Sequence, residues 1–259
     1  MPELPEVEMA RNLVAGLAGR VIERVVAPDA FVLKRGLSPR GLARALRGRT
    51  VTGARRRGKL LLVDTDGPVL GLHFGMSGRL VLDGRASVAD LVWSSNRDVA
   101  RWDRLVLGLS GGSELRLRDP RRLAAVELDP PEHRLGPDAL DVTEAQLAAA
   151  LRGSAAPLKA RLLDQSRLAG VGNLIADEVL WRAGLDPARP AGSLGPAEVR
   201  RLHRHLRATL ADLLDRGGSH TGDLMAARRP GGTCPRDGTP LRRRTVGGRT
   251  TWSCPLHQR

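Results

Sequence analysis

The sequence predicts an α+β protein of two domains, an antiparallel β-sandwich with flanking helices followed by a helical domain that ends in a β-hairpin. Three observations carry this expectation. Short apolar runs of strand length recur up to Leu128, and Glu114-Leu115-Arg116-Leu117-Arg118 alternates polar with apolar as a half-buried strand does. A proline-rich junction, Asp129-Pro130-Pro131-Glu132-His133-Arg134-Leu135-Gly136-Pro137, then breaks the pattern. Beyond it, apolar residues recur with a helical period, as in Val199, Leu202, Leu206, Leu210 and Leu213.

Val7, Ala10, Leu13, Val14 and Leu17 fall on one helical face, so a helix begins within the first few residues and ends near Gly19. Strand-like runs follow at Val21–Val26, Thr50–Arg55, Leu60–Asp64, Val69–Phe74, Arg79–Leu82, Leu105–Leu109, Glu114–Arg118 and Leu123–Leu128, separated by Gly, Asp and Pro turns. One short helix interrupts them from Ser38 to Leu46, with Ser38 as N-cap and Pro39 in the first helical position. Past the junction, Thr143-Glu144-Ala145-Gln146 spells a capping box opening a helix to Leu151. A further helix spans Pro157–Gln165, and the glycine turn Ala169-Gly170-Val171-Gly172-Asn173 leads into another from Asn173 to Ala183. The expected boundaries are a sheet domain over 1–130, a linker over 131–141, a helical domain over 142–226 and a terminal hairpin over 227–259.

Lys and Arg number 42 against 28 Asp and Glu, a net charge of +14 that suits a polyanionic partner. Only Lys34, Lys59 and Lys159 are lysines; a GC-rich genome explains that preference for Arg but not the surplus of positive charge. With four Trp, two Phe and no Tyr, a base-stacking platform for single strands is disfavoured, and a duplex held through Arg and backbone contacts fits better. No charged-then-apolar leader and no apolar run of membrane-spanning length occurs, so a soluble, cytoplasmic, monomeric protein is expected.

Two segments carry candidate chemistry. Removing Met1 from Met1-Pro2-Glu3-Leu4-Pro5-Glu6-Val7-Glu8 leaves a secondary α-amine. Its ordinary pKa of about 7.7 to 8 keeps far more free base at neutral pH than a lysine near 10.4. Such an amine can form a Schiff base with a sugar C1′, and Glu3 beside it can move protons. The same residues also suit a plain helix start, with prolines as punctuation and carboxylates at the positive end of the dipole. In Gly170-Val171-Gly172-Asn173, amides at a helix start can hold a phosphate, or the turn simply joins two helices.

Pro157-Leu158-Lys159-Ala160-Arg161-Leu162-Leu163-Asp164-Gln165, the glycine turn, and Asp177-Glu178-Val179-Leu180-Trp181 together resemble the helix-two-turn-helix of the formamidopyrimidine-DNA glycosylase and endonuclease VIII family. Pro2-Glu3-Leu4-Pro5-Glu6-Val7-Glu8 resembles the family's catalytic start. Arg57-Gly58-Lys59, His73-Phe74-Gly75-Met76-Ser77-Gly78-Arg79-Leu80 and Asp119-Pro120-Arg121-Arg122 follow in the family's order, so the resemblance covers essentially the whole chain. It implies a base-excision-repair glycosylase with abasic-site lyase activity that flips a damaged nucleotide out of double-stranded DNA in the bacterial nucleoid. By that resemblance Pro2 attacks C1′, Glu3 protonates the ring oxygen, and β,δ-elimination cuts the strand with no metal at the reaction centre. Lys59 contacts a phosphate near the lesion and Glu6 orders the lesion pocket. Met76, Arg121 and Leu123 fill the hole left by the everted base, with Leu123 standing where the family usually has Phe. His73, Lys159, Asn173 and Arg249 complete the implied DNA contacts. The alternative is a non-catalytic protein that binds damaged DNA on the same fold.

Cys234-Pro235-Arg236-Asp237, sixteen residues, then Cys254-Pro255-Leu256-His257 has the spacing of a zinc finger built on a β-hairpin. The resemblance implies four cysteines, whereas Asp237 and His257 hold two of the places; all four side chains are competent ligands for tetrahedral zinc, a carboxylate being uncommon in structural sites, and a disulfide between the two cysteines is the competing reading. Residues 217–233 also lack the longer loop, with its Tyr-Gly-Arg stretch, that caps 8-oxoguanine in similar proteins. An open pocket follows, so oxidised purines are not to be assumed as substrates, and ring-opened purines, oxidised pyrimidines, abasic sites and bulkier adducts stay open.

Overall fold

The strand periodicity ahead of the proline-rich junction becomes two antiparallel sheets. In the computed structural model, which describes every residue except Met1, Asp90 and Trp93, one sheet has the order β1 (Ile22–Val26), β7 (Asp103–Leu109), β8 (Glu114–Arg118), β5 (Arg79–Leu82), β6 (Arg85–Ala86). The other runs β2 (Val51–Arg57), β3 (Leu60–Thr65), β4 (Leu70–His73), β9 (Ala125–Leu128). Alternate residues of both meet in one core: Leu105, Leu107, Leu115 and Leu117 from the first, Leu61, Val63, Leu70 and Leu72 from the second. Helix α1 (Leu4–Ala15) adds Val7, Ala10 and Val14, and α2 (Pro39–Leu46) adds Leu42 and Leu46. Each fully buried leucine removes enough apolar surface from water to contribute about 1.5–3 kcal/mol before entropy is charged against it.

Local chemistry sets the ends of these elements. The Ser38 hydroxyl accepts the Gly41 N–H at 3.0 Å and starts α2 one residue later. α1 stops at Ala15, short of the predicted Gly19, and the chain turns there. The strand predicted from Leu123 begins instead at Ala125, because the Asp119 carboxylate takes the N–H groups of Leu123 and Ala124, the latter at 2.7 Å, before they can join a ladder.

The chain divides into two compact units, Met1–Glu132 and His133–Arg259. Residues from Gly136 onward are tied into the second unit: the Gly136 N–H donates to Gln165 at 2.9 Å and the Ala139 N–H to Ala169 at 2.8 Å. That unit holds α3 (Glu144–Leu151), α4 (Leu158–Leu163), α5 (Asn173–Ala183), α6 (Pro196–Asp215) and the hairpin β10 (Arg242–Val246) and β11 (Arg249–Ser253). The predicted capping box opens α3, with Gln146 N–H to Thr143 Oγ1 at 3.2 Å and Thr143 N–H to Gln146 Oε1 at 2.9 Å. α4 ends early because Asp164 turns its carboxylate onto the Ser166 N–H at 3.0 Å. The hairpin turns on Gly247 and Gly248, both at positive φ, and a Cβ on Gly247 would lie 2.7 Å from Ala160 Cβ, so the tip rests on α4. Among the described residues no helix is long and apolar enough to cross a membrane.

Candidate active site and metal cluster

In the first unit, the start of α1 is held by a carboxylate from its own first turn. The Glu3 N–H donates to Glu6 Oε2 at 2.7 Å, and both side chains are buried. Glu6 thus serves the helix start and fixes Glu3 at once. Pro2, Glu6, Phe74, Gly78 and Arg79 pack around one gap too small to hold a water molecule. Met1, whose removal the amine requires, lies outside the described residues.

Two further contacts bring lysine and histidine to this end of the sandwich. Glu8 accepts from Arg56 Nε at 2.8 Å, and Arg56 Nη1 donates to the Gly58 carbonyl at 3.0 Å, so α1 is fastened to the turn that carries Lys59. Burial opposes ionisation of Glu8, but the hydrogen bonds from Arg11 and Arg56 prevail and hold its carboxyl below the usual range. Lys59 is half-buried at the start of β3, and Leu60 is paired with His73 across the sheet. Desolvation, then the charge on Lys59, pushes the His73 imidazole below its usual value and keeps it neutral at pH 7. Its Nδ1 accepts the Gly75 N–H at 3.1 Å, so Nε2 carries the proton and is a donor.

One carboxylate organises the loops bearing Met76, Arg121 and Leu123. Asp119 is fully buried; its oxygens accept the Arg121 N–H at 3.1 Å, the Ala124 and Leu123 N–H groups, and the Ser77 hydroxyl. The β4–β5 and β8–β9 loops are thereby pinned to one atom group. Gly75 completes the fit, since its φ is 57° and a Cβ there would collide with the Leu123 carbonyl oxygen at 2.3 Å. Arg121 and Leu123 remain exposed, the latter by 44 %, and Met76 is half-buried. Arg122 braces the loop from outside through Asp29 at 2.6 Å.

In the second unit, Gln165 staples the glycine turn: its amide nitrogen donates to Leu163 and Val171 carbonyls at 2.8 and 3.0 Å, and its oxygen accepts the Gly170 N–H at 3.0 Å. Asn173 opens α5, with a buried Oδ1 that has no hydrogen-bond partner among the described residues. Arg249 is exposed beside the hairpin tip. Lys159 requires a correction. It is fully buried, 2.7 Å from Asp177, and donates to Thr251 Oγ1 at 2.8 Å and to the Thr250 carbonyl at 3.1 Å, so no phosphate can reach it. A charge buried on both partners fastens α4 and α5 to β11 instead.

The C-terminal cluster is assembled. One donor atom each from Cys234, Asp237, Cys254 and His257 lies within 4.8 Å of the others, and the cysteines are not bonded to each other. A tetrahedral ion with bonds of about 2.0–2.3 Å needs donors about 3.3–3.8 Å apart. Cys234 Sγ to His257 Nδ1 is 3.7 Å and Cys254 Sγ to Asp237 Oδ2 is 3.3 Å. Trp181 orients two ligands, its indole N–H donating to Cys234 Sγ at 3.3 Å and its carbonyl accepting from His257 Nε2 at 3.2 Å, which leaves the Nδ1 lone pair for a metal. The four residues can hold a metal ion.

The first unit is thus a sandwich with Pro2 and Glu3 buried at the start of its first helix, and the second carries a stapled helix turn and a metal-competent hairpin. Residues 1–126 match the formamidopyrimidine-DNA glycosylase N-terminal domain and residues 135–224 the formamidopyrimidine-DNA glycosylase H2TH domain. Formamidopyrimidine-DNA glycosylases of Alkalilimnicola ehrlichii and Paracoccus denitrificans are 38 % and 40 % identical over the whole of both chains. The structure is similar to a Lactococcus lactis Fpg complexed with abasic-site DNA (TM-score 0.83, 26 % identity, 99 % of both chains). It is similar too to a complex of that protein with Fapy-dG DNA (TM-score 0.83, 27 % identity, 99 % of this chain and 100 % of the other). The chain belongs to the formamidopyrimidine-DNA glycosylase family.

Proposed function

We propose that Pro2, freed by removal of Met1, is the nucleophile of a damage-specific DNA glycosylase and abasic-site lyase. As a member of its family the chain is a base-excision-repair DNA glycosylase, and lyase activity is typical of that family. The observation that supports Pro2 is the fixed start of α1, where the Glu3–Glu6 pair holds a carboxylate beside the first nitrogen of the processed chain. In this reading the amine adds to C1′ and the base leaves with the bonding electrons. Glu3 delivers a proton to the ring oxygen, and the iminium acidifies C2′ so that the 3′ and then the 5′ phosphate are eliminated. Lys59 and the Nε2–H of His73 serve backbone phosphates, with Asn173 and Arg249 as further contacts from the second unit. The partner is damaged duplex DNA, bound by a monomer in the nucleoid. Duplexes carrying single defined lesions test this: excision of a ring-opened purine and cleavage at an abasic site are expected, and binding without cleavage would contradict it.

Met76, Arg121 and Leu123 occupy the space vacated by the everted nucleotide, and Asp119 sets their positions together. Asp119→Asn turns one acceptor into a donor facing N–H groups and is expected to cost about 1–3 kcal/mol of stability. Excision should fall further than affinity for undamaged duplex, which gel-shift and single-turnover assays compare directly.

Zinc is the metal that the donor set suits best, with two thiolates, an imidazole and a carboxylate, and its chemistry there is structural. Cys234, Asp237, Cys254 and His257 hold it and so anchor the hairpin that ends in Arg249. About one zinc per chain is expected by atomic emission, His257→Ala should lose most of it, and DNA affinity should drop with it while trapping on saturating abasic DNA persists. A chain that carries no metal and binds DNA normally would contradict this assignment.

A further inference from the structure

The second unit contains a cavity of about 520 Å³ that the DNA-repair reading leaves unused. Its wall includes Arg182, Arg201, His205, Arg236, His257 and Arg259, and among the described residues no Asp or Glu lines it. It lies at the C-terminal end of α5, whereas the glycine turn lies at that helix's first residue, about 16 Å away at 1.5 Å per residue. It is distinct from the glycine turn and borders the metal cluster, with which it shares His257.

The arginines there are unequally spent. Arg182 is satisfied by Glu178, Asp212 and Asp223 at 2.7 to 2.9 Å. The other three keep most of their donors. Arg201 has its nearest carboxylate, Glu198, at 4.0 Å, and its Nε is buried with no hydrogen-bond partner among the described residues. Arg236 makes one 3.4 Å bond to the Arg182 carbonyl and lies 5.2 Å over the Trp181 ring. Arg259 Nε makes one 3.3 Å bond to the Leu256 carbonyl. His205 registers the convergence, because burial and then the charges of Arg204, Arg236, Arg182 and Arg201 hold its imidazole below the usual value. The opposing half charge of the α5 C-terminus and the Glu198 carboxylate, 4.0 Å from Arg201, only partly offset the guanidinium groups of Arg201, Arg236 and Arg259. Guanidinium forks around a concave site match the tetrahedral oxygens of a phosphate, and mutual repulsion among them is relieved when an oxyanion enters.

We propose that this cavity is a binding site for a phosphate group, supplied either by a free phosphate compound or by the backbone of a second nucleic-acid segment. The probe is inorganic phosphate, titrated at constant ionic strength against the full chain and followed by ³¹P line broadening. Saturable binding is expected, weakened at least tenfold in an Arg201→Gln, Arg259→Gln double variant. Both side chains are at the surface, so the thermal midpoint and the trapping of abasic DNA should be unchanged, which separates this site from the catalytic one. A short undamaged duplex that displaces the phosphate identifies a nucleic-acid backbone as the source, and failure to displace it identifies a free phosphate compound. A linear response with no saturation, or equal affinity in the double variant, overturns the proposal.

Discussion

Protein that retains Met1 is expected to yield no borohydride-trapped complex with abasic-site DNA, whereas the processed chain is trapped covalently. The reason is electronic: as an amide, the Pro2 nitrogen has its lone pair delocalised and cannot form an iminium. Glu3→Gln in the processed chain removes the proton donor and should lower excision by about 10²–10⁴-fold. The substitution leaves the Glu3 N–H bonded to Glu6, so the start of α1 survives and the stability cost stays near or below about 1 kcal/mol. A large loss of rate at an unchanged thermal midpoint is therefore the expected pair of results. Equal losses of rate and stability would make Glu3 a helix cap and nothing more.

The largest effect on stability is expected at Asp177. This fully buried carboxylate meets Lys159 at 2.7 Å, Arg228 at 2.8 Å and the Trp252 N–H at 3.3 Å, so Asp177→Ala strands two cations in the interior. Breaking such a pair from one side costs about 3–5 kcal/mol. Replacing the fully buried pair together, Lys159→Met with Asp177→Leu, should recover part of that loss, because apolar packing of similar volume often matches a buried ion pair while Arg228 and the Trp252 N–H stay without their carboxylate. Chemical denaturation of the single and double variants measures both. If Lys159→Met alone weakened DNA binding without changing stability, the buried placement of this lysine would be wrong.

Residue pattern made most of the sandwich legible. Alternation in Glu114–Arg118 and the caps at Ser38 and Thr143 became the strand and helix starts expected of them, because those signals are local. What could not be read was the destination of long polar side chains. Lys159 looks like a phosphate contact on a helix of a basic chain, and only the fold reveals that Asp177, a turn into α5, claims it. Asp119 stands in a recognisable motif, yet nothing in its neighbours shows that one carboxylate serves both the Ser77 loop and residues 121–124. The early end of α4 and the late start of β9 share that cause, a carboxylate competing for backbone N–H groups. The metal cluster was legible from spacing, while the part played by Trp181, 53 residues before Cys234, was not.

The most direct test of the account is the location of the covalent link to DNA. After borohydride reduction on an abasic-site duplex, digestion and tandem mass spectrometry should place the deoxyribose remnant on the α-nitrogen of Pro2, in a peptide beginning Pro2-Glu3-Leu4. A remnant carried by Lys59, or on any residue other than Pro2, would contradict the central claim.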